Sequence, residues 1–154
     1  PGAAHGRHHG LHAAGLKGAI TMTDTVLTVP LHRLAHGRTG DKGNRSNISV
    51  IAWHPALWNV LVDQVTEAAV AQQFAQRHPR QVTRYLLPQL QAMNIVLDEV
   101  LDGGVNDSLN LDSHGKALSY LLLDLPIEVP AALASHLAGP PPSRSDVQAA
   151  DPLT

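Results

Sequence analysis

Apolar residues recur at regular intervals only between about residues 25 and 138 of this 154-residue chain. A patterned stretch of that length can bury a single core built from two layers. We therefore expect one domain over residues 25–138. Residues 1–24 are expected to form a disordered extension, and residues 139–154 a flexible, proline-rich tail.

The first half of the domain predicts two strands and a helix. Residues 27–31 and 47–53 alternate between apolar and polar side chains, which is typical of half-buried strands. Pro30 indicates that the first of these strands lies at an edge or a bulge. Apolar residues then recur at helical spacing after Pro55, so we predict one long helix that ends near Arg77.

The second half predicts three further strands and a second helix. Residues 82–87 form the third strand, and Pro88 opens a helix that runs through Leu101 to Gly103. Residues 108–120 predict a hairpin, with a strand before its turn at 113–115, and the apolar run that follows the turn ends in a final strand over residues 127–129. This order indicates an α+β sandwich, with one mainly antiparallel sheet and two helices on one face.

A glycine-rich, charged stretch lies between the first two predicted strands. Residues 36–45 contain three glycines, three cations and one carboxylate, and they are predicted to form a loop. Backbone N–H groups, with Arg38 and Lys42, would suit a phosphate or a carboxylate. The alternative is a structural hairpin loop in which Asp41 accepts hydrogen bonds from the backbone or from Arg38. The spacing of a P-loop is missing.

Two further polar residues are candidates for a functional role. Asn94 shares an apolar helical face with Leu90 and Leu97, so its amide either contacts the glycine loop or a ligand, or is paired within the fold. His36 borders the loop, where it would act as a general acid or base, or else have a surface role. The histidines at positions 5, 8, 9 and 12 lie in the N-terminal extension, and no metal site is expected.

Composition excludes several classes of function. The net charge of −2 gives no basic face for nucleic acid, and the absence of cysteine excludes disulfides and thiolate chemistry. No apolar run reaches the length of a membrane span, and residues 1–21 make a poor signal peptide. We expect a cytoplasmic protein with neither a nucleic-acid nor a membrane partner.

A family resemblance rests on a series of short motifs that occur in a fixed order. Its most specific part is Ala-His-Gly-Arg-Thr-Gly-Asp-Lys-Gly-Asn at residues 35–44. Further motifs stand at residues 47–52, 84–88, 92–94, 103–105, 108–109, 115–118 and 127–130. Together these motifs resemble the AtuA-like ferredoxin-fold domain of the acyclic terpene utilisation proteins, over about residues 30 to 130. The resemblance implies a ferredoxin-like sandwich.

The resemblance also implies a context for function. The family domain occurs either fused behind a large AtuA domain or as a separate short protein beside it, in the breakdown of branched or terpenoid acids as acyl-CoA thioesters. We therefore expect a small accessory subunit that binds an AtuA-like large subunit, with an acyl-CoA as ligand and no other cofactor. The expected ligand- or partner-binding residues are Gly37, Arg38, Thr39, Gly40, Lys42, Gly43, Asn44, Arg45 and Asn94.

Two other functions remain open at this point. The chain could be a small autonomous acyl-CoA hydratase or lyase, with His36 and Asp41 as catalytic residues and Arg38 or Lys42 stabilising an enolate-like oxyanion. It could also be a structural homo-oligomer built by pairing exposed sheet edges.

Overall fold

The computed structural model of the protein describes residues 25–43, 45–98 and 111–149. Within these ranges the backbone forms seven strands and three α-helices. The strands are β1 (Thr25–Pro30), β2 (Ala35–Lys42), β3 (Arg45–Ala52), β4 (Gln81–Leu87), β5 (Ala92–Asp98), β6 (Pro126–Pro130) and β7 (Val147–Ala149). The helices are α1 (Trp58–Gln64), α2 (Glu67–Gln73) and α3 (Leu111–Leu123). The predicted N-terminal extension, residues 1–24, lies outside the described residues.

The strands pair antiparallel, which confirms the α+β class, but they fall into two sheets rather than the single sheet that was predicted. One sheet has four strands in the order β2-β3-β5-β4, and the other has three in the order β6-β1-β7. β1 ends at Pro30, which pairs with Pro126, and a turn at Leu31–Arg33 follows at once. Because this turn redirects the chain, β2 begins a new sheet instead of extending the first.

All three helices contribute to one core on a single face of the four-stranded sheet. β3 buries Ser46, Ile48 and Val50, while the residues between them are exposed or half-buried. Helix α2 packs against β4 and α3 packs against β2. We call the face that meets the helices the inner face and the opposite face of the four-stranded sheet the outer face.

The predicted long helix is broken after one short segment. Helix α1 ends at Gln64, and Thr66 then caps α2 by accepting a hydrogen bond from the N–H of Ala69 at 3.1 Å. The Arg84 guanidinium, from β4, donates from Nη1 to the carbonyl oxygens of Val62 and Val65 at 2.7 and 2.8 Å. Carbonyl groups at the end of a helix have no helical N–H partner, and Arg84 supplies the donor to these two.

The helix predicted from Pro88 to Leu101 is wrong within the described residues. A turn at Pro88–Leu90 leads through Gln91, in the left-handed region at φ 49°, directly into β5. β5 buries Met93, Ile95 and Leu97 on the inner face, which is period-two spacing. The residues that suggested a helix also fit a strand, and pairing with β3 and β4 on both sides decides between them.

The hairpin predicted over residues 108–120 is also wrong where it can be compared. Residues 108–110 lie outside the described part of the chain, and residues 111–120 belong to helix α3. Leu118 and Leu122, one helical turn apart, are fully buried in the core. The strand predicted at residues 127–129 is confirmed as part of β6.

The chain after Gly139, which we expected to be a flexible tail, makes specific contacts in its described part. The Arg33 guanidinium donates to the carbonyl oxygens of Ala138 and Pro140. Ser143 and Asp146 then form a reciprocal capping box, and β7 pairs with β1. These local bonds and the strand pairing hold residues 139–149 against the three-stranded sheet.

One outer strand of the three-stranded sheet has part of its free edge covered by a side chain. The Gln64 amide accepts a hydrogen bond from the Glu128 N–H at 2.8 Å and donates one to the Glu128 carbonyl oxygen. The amide of Gln64 thus pairs with β6 as a neighbouring strand would. This arrangement links α1 to the second sheet and satisfies edge groups that would otherwise be open to another chain.

We expect Arg84→Met to lower the free energy of unfolding by about 1.5–3 kcal/mol, because two carbonyl oxygens lose a charged hydrogen-bond donor. Arg38→Met is the matched control, since Arg38 is exposed on the outer face. It should change stability by less than about 0.5 kcal/mol. Urea unfolding followed by circular dichroism measures both. Equal midpoints for the two variants would show that Arg84 does not hold the break between α1 and α2.

We expect Gly37→Val and Gly40→Val to have opposite consequences for stability. A Cβ at Gly37 would lie 3.3 Å from Ser119 Oγ and 3.5 Å from Leu123, so the valine methyl groups would overpack the contact with α3. The expected loss is about 1–3 kcal/mol. A Cβ at Gly40 meets no atom of the described residues within 4 Å, so Gly40→Val should leave the melting temperature unchanged or raise it. A large loss at position 40 would contradict the assigned faces of β2.

Candidate functional site

The outer face of the four-stranded sheet carries its side chains in rows that run across the strands. The register pairs each β3 residue with one residue of β2 and one of β5, and it pairs β5 in turn with β4. The row nearest the β2–β3 turn contains Arg45, Asp98 and Gln81. The second row contains Gly40, Asn47, Val96 and Thr83.

Two more rows continue toward the other end of the sheet. The third row contains Arg38, Ser49, Asn94 and Tyr85. The fourth row contains His36, Ile51, Ala92 and Leu87. The first three rows are mainly polar and the fourth is mainly apolar, so the outer face has a polar part and an apolar part.

A depression of about 580 Å³ follows the second row. We call it the trough. Its floor is formed by the small side chains of that row and by the absence of any side chain at Gly40. Arg45, Gln81 and Asp98 line one side, and Tyr85 lines the other. Its volume lies within the range of roughly 300 to 1,000 Å³ that is usual for small-molecule sites.

The charged side of the trough contains an ion pair. Arg45 Nε donates to Asp98 Oδ1 at 2.7 Å, with side-chain exposures of 65% and 23%. An ion pair this exposed adds little to stability, since water screens it. Its effect is local, because it neutralises Asp98 and orients the guanidinium. The other N–H groups of a guanidinium lie on Nη1 and Nη2, beyond the atom used here.

The predicted glycine loop is mostly a strand. Residues 35–42 form β2, and the chain turns only around Gly43, which has φ 67°. Because β2 is hydrogen-bonded to β3, its successive N–H groups point alternately toward and away from that neighbour. A cradle of consecutive N–H groups, as expected for an anion loop, therefore does not form along β2.

The predicted binding residues are divided between the two faces and the turn. Gly40 and Arg45 line the trough, and Arg38 and Asn94 lie in the adjoining row. Gly37 lies against α3 on the inner face, and Thr39 alternates with Arg38 and Gly40 on β2. Gly43 forms the turn, Asn44 lies outside the described residues, and Asp41 and Lys42 are placed here only by their backbone at the end of β2.

The two predicted catalytic residues are far apart. His36 and Asp41 are five positions apart on a continuous strand, a distance of about 16 Å along the backbone. The His36 ring stacks on Trp53, with centroids 4.6 Å apart and 28° between the planes. The Trp53 Nε1–H donates to the carbonyl oxygen of His32 at 3.0 Å. The imidazole ring of His36 thus packs on an aromatic side chain. Because β2 is extended, His36 and Asp41 do not reach the same substrate atom.

Asn94 lies on β5, not on a helix. It pairs with Ser49 on one side and with Tyr85 on the other. Its Oδ1 atom is buried and has no hydrogen-bond partner within the described ranges. A buried acceptor of this kind normally has a partner. The third row thus contains a hydrogen-bond acceptor for which the described residues provide no donor.

Sequence reasoning missed most of the trough. Asn47, Val96 and Asp98 were not selected, and neither were the lining residues of β4. Thr83 and Tyr85 occupy alternate positions of the strand predicted at residues 82–87, and Gln81 continues the alternation one residue before it, which was a usable signal for an outward face. The contribution of β5 was hidden because its residues were assigned to a helix.

Opposite the trough, the outer face ends in exposed apolar side chains. We define the apolar end as His36, Ile51, Trp53, Leu87 and Leu90. Trp53 is 50% exposed, Leu87 46% and Leu90 69%. The turn that carries Leu90 joins β4 to β5, and the Ala52 N–H bonds to the carbonyl oxygen of Gln91 beside it. The apolar end therefore extends over the ends of β3, β4 and β5.

The described part of the chain lacks two features that would indicate other functions. Within the described residues, no three His, Cys, Asp or Glu side chains are grouped as a metal ion would require. In the same part of the chain, no helix combines the length and the apolar character needed to span a bilayer.

Comparison with known proteins assigns the family. The family model described as the AtuA ferredoxin-like domain matches residues 29–128, which is well over half of the chain. Comparisons with curated proteins and with solved structures give no match. The matched range includes all four strands of the sheet with the trough and the apolar end. The resemblance seen in the sequence is thus confirmed, and the chain belongs to the AtuA ferredoxin-like domain family.

Proposed function

We propose that this chain is an accessory subunit that docks onto an AtuA-type large partner through its apolar end. The observation that carries the proposal is the exposure of Trp53, Leu87 and Leu90 together at one end of the sheet. Family membership supports the nature of the partner, since the name of the domain refers to AtuA. The proposed context is the breakdown of branched or terpenoid acyl-CoA thioesters.

The chemistry of the apolar end suits a protein interface. Tryptophan contributes heavily to binding energy when a partner desolvates it, and neighbouring aliphatic side chains exclude water around it. Trp53 is held in place by its stack on His36 and its hydrogen bond to His32, so little side-chain freedom is lost on binding. Exposed apolar side chains that are grouped in this way commonly mark interaction sites.

The autonomous-enzyme hypothesis gains no support from this geometry. An acid–base pair must reach the same substrate atoms, whereas His36 and Asp41 lie at opposite ends of β2. The homo-oligomer hypothesis would use the same exposed residues or the free edges of β2 and β4. An experiment on the intact chain separates it from docking onto a different protein.

We expect Trp53→Ala and Leu90→Asp each to weaken binding to a purified AtuA-type large protein by about tenfold or more, as is usual for central interface residues. Isothermal titration with the full chain provides the measurement. Tyr120→Ala is the matched control, because Tyr120 is 68% exposed but lies on α3, which packs on the inner face. This control should bind within about twofold of the wild type.

The variants also need a test of folding. Leu90 lies in a surface turn and outside the core, so Leu90→Asp should retain the wild-type melting temperature. Unchanged affinity in both apolar-end variants would contradict the docking surface. If the wild-type chain does not bind the large protein, the accessory role is contradicted. If the chain instead forms a dimer that these variants disrupt, the homo-oligomer hypothesis replaces the proposal of an accessory subunit.

A further inference from the structure

Gly40 has no structural reason to be glycine. Its backbone does not adopt a positive φ, in contrast to Gly43 at 67°. Among the described residues, no atom lies within 4 Å of a Cβ built at Gly40, in contrast to Gly37, where Ser119 and Leu123 lie close. Glycine inside a strand costs backbone entropy and removes a side chain that could pack. The fold would be served at least as well by a β-branched residue at this position.

The absence of a side chain at Gly40 matters only on the outer face. Gly40 pairs with Asn47 in the second row, and both line the trough. A side chain at position 40 would project from β2 into that end of the trough. Glycine in a strand often marks the place where a ligand or another backbone approaches closely. The glycine at position 40 therefore leaves one end of the trough open, and the packing of the described residues does not require that opening.

The lining of the trough defines the chemistry of an occupant. Arg45 offers guanidinium N–H groups, and Arg38 adds a second exposed cation two positions from Gly40 on β2. Arg45 and Asp98 largely cancel each other's charge at 2.7 Å, so the net positive charge that these side chains give this end of the trough comes from Arg38, and Arg45 contributes hydrogen-bond donors. An anionic group is thus favoured at the end of the trough near β2 and β3. Guanidinium groups are well suited to phosphate oxygens.

The remainder of the trough suits a neutral polar chain. Asn47 and Gln81 each offer an amide donor and an amide acceptor, and Thr83 offers a hydroxyl. Val96 and the ring of Tyr85 provide apolar contact between these polar groups. The row crosses four strands, a span of about 14 Å at the usual strand spacing. An extended organic molecule with hydrogen-bonding groups along its length matches this surface.

We propose that the trough binds a phosphorylated organic ligand whose body carries amide or hydroxyl groups. Its phosphate lies near Arg45 and Arg38, and its polar body crosses β3 and β5 toward Thr83 and Gln81. The site is separate from the apolar end, so partner docking can fail while this proposal stands. Ligand binding can likewise fail while docking stands.

The test compares two probes that differ only in a phosphate, 4′-phosphopantetheine and pantetheine. Both have two amides, a secondary hydroxyl and a thiol, and pantetheine has a free hydroxyl where the other probe carries its phosphate. They are titrated into the ¹⁵N-labelled full chain by NMR. We expect 4′-phosphopantetheine to bind about tenfold or more tightly than pantetheine, because only the former carries a negatively charged phosphate that can pair with the arginines. Amide shifts should be largest at Asn47, Thr83 and Val96.

Gly40→Val tests the site without removing any polar group. It should retain the wild-type melting temperature and weaken binding of 4′-phosphopantetheine by about tenfold or more, since the valine fills one end of the trough. Ser49→Val is the matched control, because it adds the same side chain to the same face in the next row, outside the lining. It should bind within about twofold of the wild type.

Several results would overturn the proposal. The first is no shift with 4′-phosphopantetheine, and the second is equal affinity for the two probes. Shifts confined to residues outside the trough would also contradict it. Unchanged binding in Gly40→Val would show that the open position at residue 40 does not serve this ligand.

Discussion

The antiparallel pairing of β3 between β2 and β5 is the constraint on which the rest of the structure depends. β3 buries Ser46, Ile48 and Val50, and this alternation fixes which residues of both neighbours face the helices. A shift of one residue in either pairing would exchange the core side chains for the polar ones. The buried side chains of β3 thus determine the position of every residue on the outer face.

The two faces of this sheet have different tasks. The inner face is closely packed, to the point that α3 approaches β2 at Gly37. None of the described helices packs on the outer face, which separates its polar rows from an apolar end. Antiparallel sheets commonly have one face on a core and one toward solvent. Here the solvent face carries an ion pair, an exposed tryptophan and a buried amide oxygen that has no partner among the described residues.

The three glycines of residues 36–45 show how far the sequence could predict the site. The sequence indicated that this stretch was special, but not that Gly37 serves packing, Gly43 a turn and Gly40 an outward-facing opening. Two of those roles depend on neighbours distant in sequence. Gly37 packs against Ser119, and Gly40 belongs to a row that continues across β5 and β4.

The strand predictions succeeded where a local pattern was sufficient and failed where contacts distant in sequence decide the structure. The positions of the strands near residues 27–31, 47–53, 82–87 and 127–129 were predicted correctly because alternation is a local signal. The edge position that Pro30 indicated for the first strand was not, since β1 lies between β6 and β7 and β7 pairs only with residues 25–27. The helix predicted after Pro88 failed because Met93 and Leu97 fit both a helical and a strand spacing. Only pairing with β3 and β4 decides that case, and pairing is not visible in one segment. The break between α1 and α2 likewise depends on Arg84, which comes from a later strand.

The register of the outer rows is the central claim, and cross-strand nuclear Overhauser effects measure it directly. The account predicts contacts linking Gly40 with Asn47, Asn47 with Val96, and Val96 with Thr83. Contacts offset by one residue, such as Asp41 with Asn47, would move Gly40 out of the trough and contradict the assignment of the outer face.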